Sequence, residues 1–332
     1  MTYWEQRFLN LKEDGLHTAQ TSYEDLTSIY AYSLNKYENQ IARFIQRYAN
    51  SNSLSLADAK RQLSARELKD FKITLNQYIK LAQQKNLSPK QIKLLENASL
   101  RARLSRLEEL WIHTSQFVEI LAQEQHININ DALNKVYNST YYEAAYLTQS
   151  LQGKYQTFRQ IPKKAIQEAI NTPWSNADFS QRIWDQRDKL ITKLQQEITR
   201  SFIAQEPTER ITERVSQACD VQMSNARRLV ETEVAYVQEL ALNNTFKELN
   251  VKQYQILATL DKHTSSVCRH LDKHIIDRTD FKPGITAPPF HPYCRSTMIP
   301  YVPLQSRASR PDTKTEYVPD ISYEEWQATY VK

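Results

Sequence analysis

The chain has 332 residues, with 43 Lys and Arg against 38 Asp and Glu, a formal net charge of +5, and 40% hydrophobic residues. Its three glycines, Gly15, Gly153 and Gly284, are too few for a G-x-G-x-x-G or G-x-x-x-x-G-K-[ST] phosphate cradle, and they disfavour multi-hairpin β folds, whose tight turns need positive φ. No stretch approaches the roughly 18 uninterrupted apolar residues of a membrane span, and the opening Met1-Thr2-Tyr3-Trp4-Glu5-Gln6-Arg7 lacks the apolar core of a signal peptide.

In chain order, the first periodic element is Tyr23, Leu26, Tyr30, Leu34, Tyr37, Ile41, Phe44 and Tyr48. Steps of three and four put these on one face of a helix of about seven turns. Ser64-Ala65-Arg66-Glu67 has capping-box form and opens a helix to about Gln84. Ser88-Pro89-Lys90-Gln91 opens another, which carries Leu100, Leu104, Leu107, Trp111, Thr114, Val118 and Leu121 at seam spacing for an antiparallel bundle. Further helices are expected near 130–150, 163–171, 179–205, 208–219 and 222–249. Of twelve prolines, eight lie between Pro283 and Pro319, which fits a helical body followed by an irregular C-terminal region.

After Asn250 the texture changes. Tyr254 to Leu260 has strand composition, and Ile275-Ile276 and Met298 to Val302 can pair with it as a small sheet. The fold class expected is mainly α, with a long helical body and a small, loop-rich α+β domain stapled by zinc. The expected divisions are 1–160, a helical body; 161–251, a helical segment leading into the next domain; 252–310, a small β and loop domain; and 311–332, an acidic tail. Residues 252–310 hold nine Lys and Arg against four Asp, so the basic excess concentrates there. Lys252, Arg269, Lys282 and Arg295 are its candidate contacts to DNA phosphates.

Three cysteines, Cys219, Cys268 and Cys294, are too few for a disulfide framework and suit a reducing cytoplasm. His263, Cys268, His270, His274, His291 and Cys294 crowd into 32 residues. Thiolate and imidazole suit a tetrahedral Zn²⁺, and the His291-x-x-Cys294 pair spans one tight turn onto one ion. Cys268 supplies a third ligand from across the loop. His274, His270 or Asp272 is the fourth, with His274 favoured because five intervening residues let the chain turn back. Cys219 lies on a helix outside the cluster. On the helix of 222–249, Glu233 sits in an apolar stripe, either as a salt-bridge partner of Arg228 or Arg269 or as an acid in a site. Trp174-Ser175 with Phe179 to Trp184 is an aromatic cluster at a helix start.

Several blocks occur in a fixed order. They are Trp174…Phe179-Ser180-Gln181-Arg182-Ile183-Trp184, Ala226 to Glu233, Ala258-Thr259-Leu260-Asp261, Cys268, and Pro288-Pro289-Phe290-His291-Pro292-Tyr293-Cys294-Arg295-Ser296. Together they resemble the phage minor capsid, or head morphogenesis, proteins of the phage Mu protein F-like family across roughly residues 170–302. The resemblance marks Arg228, Thr232, Glu233, Asp261 and Arg295 as motif residues of unknown role and carries over Cys268, His291 and Cys294. This chain departs from the family's fuller pattern at His263-Thr264-Ser265, at Lys273, where a glycine is common, and at Ser296, where a second cysteine sometimes stands.

The resemblance implies a virion protein of a tailed phage. Such a protein is packed inside the procapsid near the portal, made in the host cytoplasm, and active in head assembly or genome delivery. Its implied partners are the portal protein and a scaffold or major capsid protein, with non-specific contact to packaged double-stranded DNA and none to membrane. Only about 30 residues follow the motif block, so no appended catalytic domain is expected. The alternatives are a metal-dependent nuclease using His263, His270 and Asp272, and a zinc-containing DNA-binding protein. The first lacks a recognisable nuclease spacing, and the second lacks a recognition helix after the zinc block.

Overall fold

The computed structural model describes residues 2–51, 106–203, 206–302 and 321–332. Among them seven α-helices and three short strands follow one another as α1 (Tyr3–Ser51), α2 (Arg106–Gln152), α3 (Lys163–Ile170), α4 (Phe179–Ile203), α5 (Thr208–Glu248), β1 (Gln253–Leu257), α6 (Ser266–Leu271), β2 (Ile275–Asp277), β3 (Thr297–Tyr301) and α7 (Tyr323–Tyr330). The chain is mainly helical with a small C-terminal sheet, as its composition implies. No helix among the described residues is long and apolar enough to cross a membrane. The helix expected from Ser64 to Gln84 and the one opening at Ser88 lie outside the described residues.

Helix α1 starts well before the periodic stretch that announces it. The side chain of Thr2 accepts from the Glu5 backbone N–H at 3.2 Å, and Glu5 Oε2 accepts from Thr2 N at 2.8 Å. This is a reciprocal capping box written in Thr2-Tyr3-Trp4-Glu5. Two expected helix breaks do not occur. Residues 106–152 form one helix of 47 residues and 208–248 one of 41, because neither 120–130 nor 217–224 holds a glycine or proline to interrupt the backbone ladder.

Contacts group the chain into two units: 1–25, 127–182 and 226–332 in one, and 26–126 and 183–225 in the other. In the second unit, Tyr30, Tyr37, Ile41 and Phe44 of α1 pack with Phe117, Val118 and Leu121 of α2, Leu194 and Ile198 of α4, and Ile211, Val215 and Cys219 of α5. The expected α1 stripe is therefore a core stripe. Tyr37 stacks on Phe117 at 4.4 Å and hydrogen-bonds Thr114. A polar anchor thus sits inside an apolar seam and fixes its register.

The first unit holds the sheet, ordered β2-β1-β3 and antiparallel throughout. Tyr254 faces Ile276 on one side and Pro300 on the other, so the two strand pairings expected from sequence both form. Helix α5 delivers the chain to β1 through Asn250, which takes φ 54° where the helix ends. The sheet is tied to the helices by a buried ion pair. Lys12 of α1 meets Glu239 of α5 at 3.0 Å, and Glu239 Oε2 also accepts from the Met298 N–H of β3 at 3.0 Å. Beside it the Gln238 side chain donates to Leu11 O at 2.6 Å and lies flat against Gly15, where a Cβ would come within 2.6 Å of it.

Helix α7 belongs to the same unit. Ser322 and Glu325 form its capping box, and fully buried Trp326 donates to Gln149 of α2 at 3.0 Å. Residues 158–160 and 330–332 exchange backbone hydrogen bonds alongside. The end of the segment 311–332 is thus a docked helix, while 311–320 lies outside the described residues.

Candidate metal centre

The centre is built on the loop between β1 and β3. At the end of β1, Asp261 folds a tight turn, with its Oδ1 accepting from His263 N at 2.8 Å and its N–H donating to Thr264 Oγ1 at 2.7 Å. Thr264 in turn donates to Thr259 O at 2.6 Å. The next residue, Ser265, caps α6 and accepts from Cys268 N at 3.2 Å. That cap presents the Cys268 thiol inward, against Ala258, Cys294 and Phe290. On the return limb Tyr293 takes φ 61°, and Cys294 N closes onto His291 O at 3.2 Å, the tight turn that the His-x-x-Cys spacing calls for.

Three side chains converge. Cys268 Sγ lies 3.7 Å from Cys294 Sγ and 3.2 Å from His291 Nε2, and the three ligand atoms all fall within 4.8 Å of one another. Two thiolates on a tetrahedral zinc at ~2.3 Å stand about 3.8 Å apart, and a thiolate and an imidazole nitrogen about 3.5 Å. The observed separations match that figure within a few tenths of an ångström. The tautomer fits as well. His291 Nδ1 is 2.8 Å from Pro292 O, a carbonyl that only accepts, so Nδ1 carries the proton and the Nε2 lone pair faces the sulfurs. The hydrogen bond between the thiols holds Cys268 far below the ordinary thiol range, at about 5, and, with burial, pushes Cys294 up. Binding a cation would displace the thiol protons of this pair.

His274 is not in this group, which corrects the expected fourth ligand. It is exposed, with its ring beside His270 at a centroid distance of 5.4 Å. The sheet explains why. Lys273 N donates to Ile256 O and His274 O accepts from Ile256 N, both at 2.9 Å, so this backbone is committed to β1. The turn before it places Lys273 at φ 65°, the left-handed region that glycine takes without strain. Asp272, the other candidate, accepts from Ala258 N at 2.8 Å. Among the described residues, no fourth His, Cys, Asp or Glu joins the triad.

The motif residues have structural occupations. Arg295 pairs with Asp261 at 2.6 Å and links the two limbs of the loop. Lys252, Arg269 and Lys282 are exposed. Thr232 donates to Arg228 O at 2.6 Å within α5, and Arg228 is exposed on that helix. Glu233 is buried, and the guanidinium it holds is that of Arg182 rather than Arg228 or Arg269. Its other oxygen accepts from Trp174 Nε1 at 2.9 Å. Arg182 also donates to Trp174 O at 2.6 Å and lies over the indole, which stacks on Tyr236 at 4.7 Å. Burial pushes the Glu233 carboxyl up while Arg182 and Trp174 oppose the shift. Every oxygen of this acid is occupied, so the aromatic cluster at Trp174 is a latch joining the start of α4 to α5. Sequence reasoning missed the Arg182–Glu233 contact and the Lys12–Glu239 pair, since neither lies at a helical or strand spacing.

Residues 192–299 match the family described as phage Mu protein F like protein. The chain is also 22% identical over 297 residues to an NAD(+)–arginine ADP-ribosyltransferase, EFV, of Enterococcus faecalis (strain ATCC 700802 / V583). That alignment covers 82% of this chain and 60% of the relative, so the chain spans less than two thirds of the relative's length. No solved structure matches.

Proposed function

We propose, from the match of residues 192–299 to the phage Mu protein F-like family, that the chain is a minor capsid, or head morphogenesis, protein of a tailed bacteriophage. In this reading it is made in the host cytoplasm and packed into the procapsid near the portal, where it serves head assembly or genome delivery. The observation that carries the reading is the family match, which contains Glu233 and the whole Cys268–His291–Cys294 centre. A phage role also suits the architecture, since long helices offer extended surfaces to portal, scaffold or capsid subunits.

The centre is assigned a structural role. Cys268, His291 and Cys294 would hold a zinc ion, which would clamp the loop between Asp261 and Arg295 and add to the stability of the small sheet domain. A non-enzymatic reading is supported by the state of the carboxylates. Glu233 is sequestered by Arg182 and Trp174, and Glu231 pairs with Arg227 at 2.7 Å, which leaves neither as a poised general base. The transferase activity named for the Enterococcus relative is not assigned to this chain, which spans 60% of that protein. Lys252, Arg269 and Lys282 are the side chains proposed to rest against packaged DNA, through phosphates and without sequence preference.

In-frame deletion of the gene from its phage tests the proposal. We expect loss of infectious particles, with heads that are misassembled or fail to deliver DNA, and rescue by the gene supplied in trans. Normal yields of infectious phage from the deletion would overturn it.

A further inference from the structure

The same three side chains admit a second chemistry that does not depend on the head-assembly reading. Two buried cysteines 26 residues apart in sequence are held with their sulfurs in contact at 3.7 Å. A disulfide needs them to approach to about 2.05 Å, a movement of side-chain size that χ rotation of the two cysteines would have to supply. The loop is already closed by Asp261–Arg295 and by the Thr259 Oγ1 to Arg295 O hydrogen bond of 3.2 Å, so the two limbs need not search for one another. His291 Nε2, with Nδ1–H tied to Pro292 O, is an acceptor beside Cys268 Sγ at 3.2 Å. And among the described residues only three ligands converge. A metal held by three protein ligands keeps an exchangeable position, unlike the closed four-ligand sites of permanent structural zinc.

We propose that Cys268 and Cys294 form a redox-convertible pair, so that the loop has two alternative clamps: a metal bridging both sulfurs and His291, or a disulfide between the sulfurs with the metal gone. The oxidant class is a peroxide. The Cys268 sulfur, its proton passed to His291 Nε2, attacks one peroxide oxygen. The O–O bond breaks, an S–O bond forms, and hydroxide leaves as water with the proton from His291. The Cys294 sulfur then attacks the sulfenic sulfur of Cys268, the S–O bond breaks, and a second water leaves with the Cys294 proton. Two thiols lose two electrons and two protons, and one peroxide becomes two waters. A thiol reductant reverses the change by exchange. In a reducing compartment the metal clamp prevails, and in an oxidising one the covalent clamp replaces it.

The experiment uses the full chain, reduced and stripped of metal, then treated with hydrogen peroxide and digested without reductant for peptide mass mapping. The expected product is a single cross-linked peptide pair joining Cys268 to Cys294, lighter by two hydrogens and separated by dithiothreitol. Cys219, buried in the core of the other unit, should remain a thiol and serves as the internal control. Cys294→Ser should instead leave a sulfenic acid at Cys268 that dimedone traps, but the wild-type map decides the matter without that variant. Cys268 found unmodified, overoxidised without a cross-link, or joined to Cys219 would overturn the proposal. Repeating the treatment on zinc-loaded protein separates the two readings. Release of one zinc per disulfide supports both, and a disulfide formed in protein that takes up no zinc sustains the redox pair while removing the metal.

Discussion

Lys12 and Glu239 form an ion pair with both side chains out of water, and Glu239 also accepts the Met298 N–H. Removing one partner leaves a buried charge uncompensated, at a cost of about 3–5 kcal/mol. Lys12→Ala should therefore lower the free energy of unfolding in urea by that order, and a loss under ~1 kcal/mol would show that water reaches the pair. Replacing both residues with apolar ones should recover only part of the loss, because the Met298 N–H would still lack its acceptor, at about 1–3 kcal/mol. Gly15 is a quieter case. A Cβ there meets the buried Gln238 side chain, whose amide is engaged with Leu11 O. Gly15→Ala should cost about 1–3 kcal/mol by overpacking, although alanine is the better helix former. A stabilised Gly15→Ala protein in the same urea titration would contradict this.

The β1–β3 loop shows how much of an element its sequence reveals. His291, Cys294 and Cys268 were legible because a His-x-x-Cys turn is a local pattern and a third thiol lay within one loop. His274 was not, because strand pairing with Ile256 decides where its backbone goes, and no ligand spacing encodes that register. The helices of 106–152 and 208–248 run on through the expected boundaries near 121–130 and 219–222, because without Gly or Pro there the backbone ladder is not interrupted. The Glu233 partner was missed since Arg182 stands 51 positions earlier and contact is made only once α4 and α5 pack. Asp261 gives the loop a pH dependence with a definite sign. Its hydrogen bond from Arg295, with the His263 N–H, holds its carboxyl below the usual range. The contribution is present above the unfolded value near ~3.9 and is lost as pH falls through the depressed folded value. Wild-type melting temperature should therefore drop more steeply below about pH 4 than that of Asp261→Asn, and parallel curves would remove the pair from the account. Zinc affinity should fall on acidification as well, because the ligands must shed protons to bind. Cys294→Ser should abolish zinc uptake and Cys219→Ser leave it unchanged, as read by elemental analysis of the reconstituted chain.

At the scale of the molecule, the charge is modest but unevenly placed, and the exposed Lys252, Arg269 and Lys282 carry part of the excess. If these meet phosphate, double-stranded DNA of any sequence should bind with an affinity that falls steeply as salt rises. The triple substitution to alanine should flatten that slope, whereas Arg295→Ala should act chiefly through the loop, since its guanidinium is held by Asp261. An unchanged slope in the triple variant would leave protein partners to carry the assembly role. The central claim is that this chain is a component of a phage head, and an inventory of particles tests it most directly. Procapsids and DNA-filled virions of the encoding phage, purified on gradients and analysed by quantitative mass spectrometry, should contain the chain at a fixed low ratio to the major capsid protein. Its absence from both particles, with the chain abundant in the infected cell, would contradict the account.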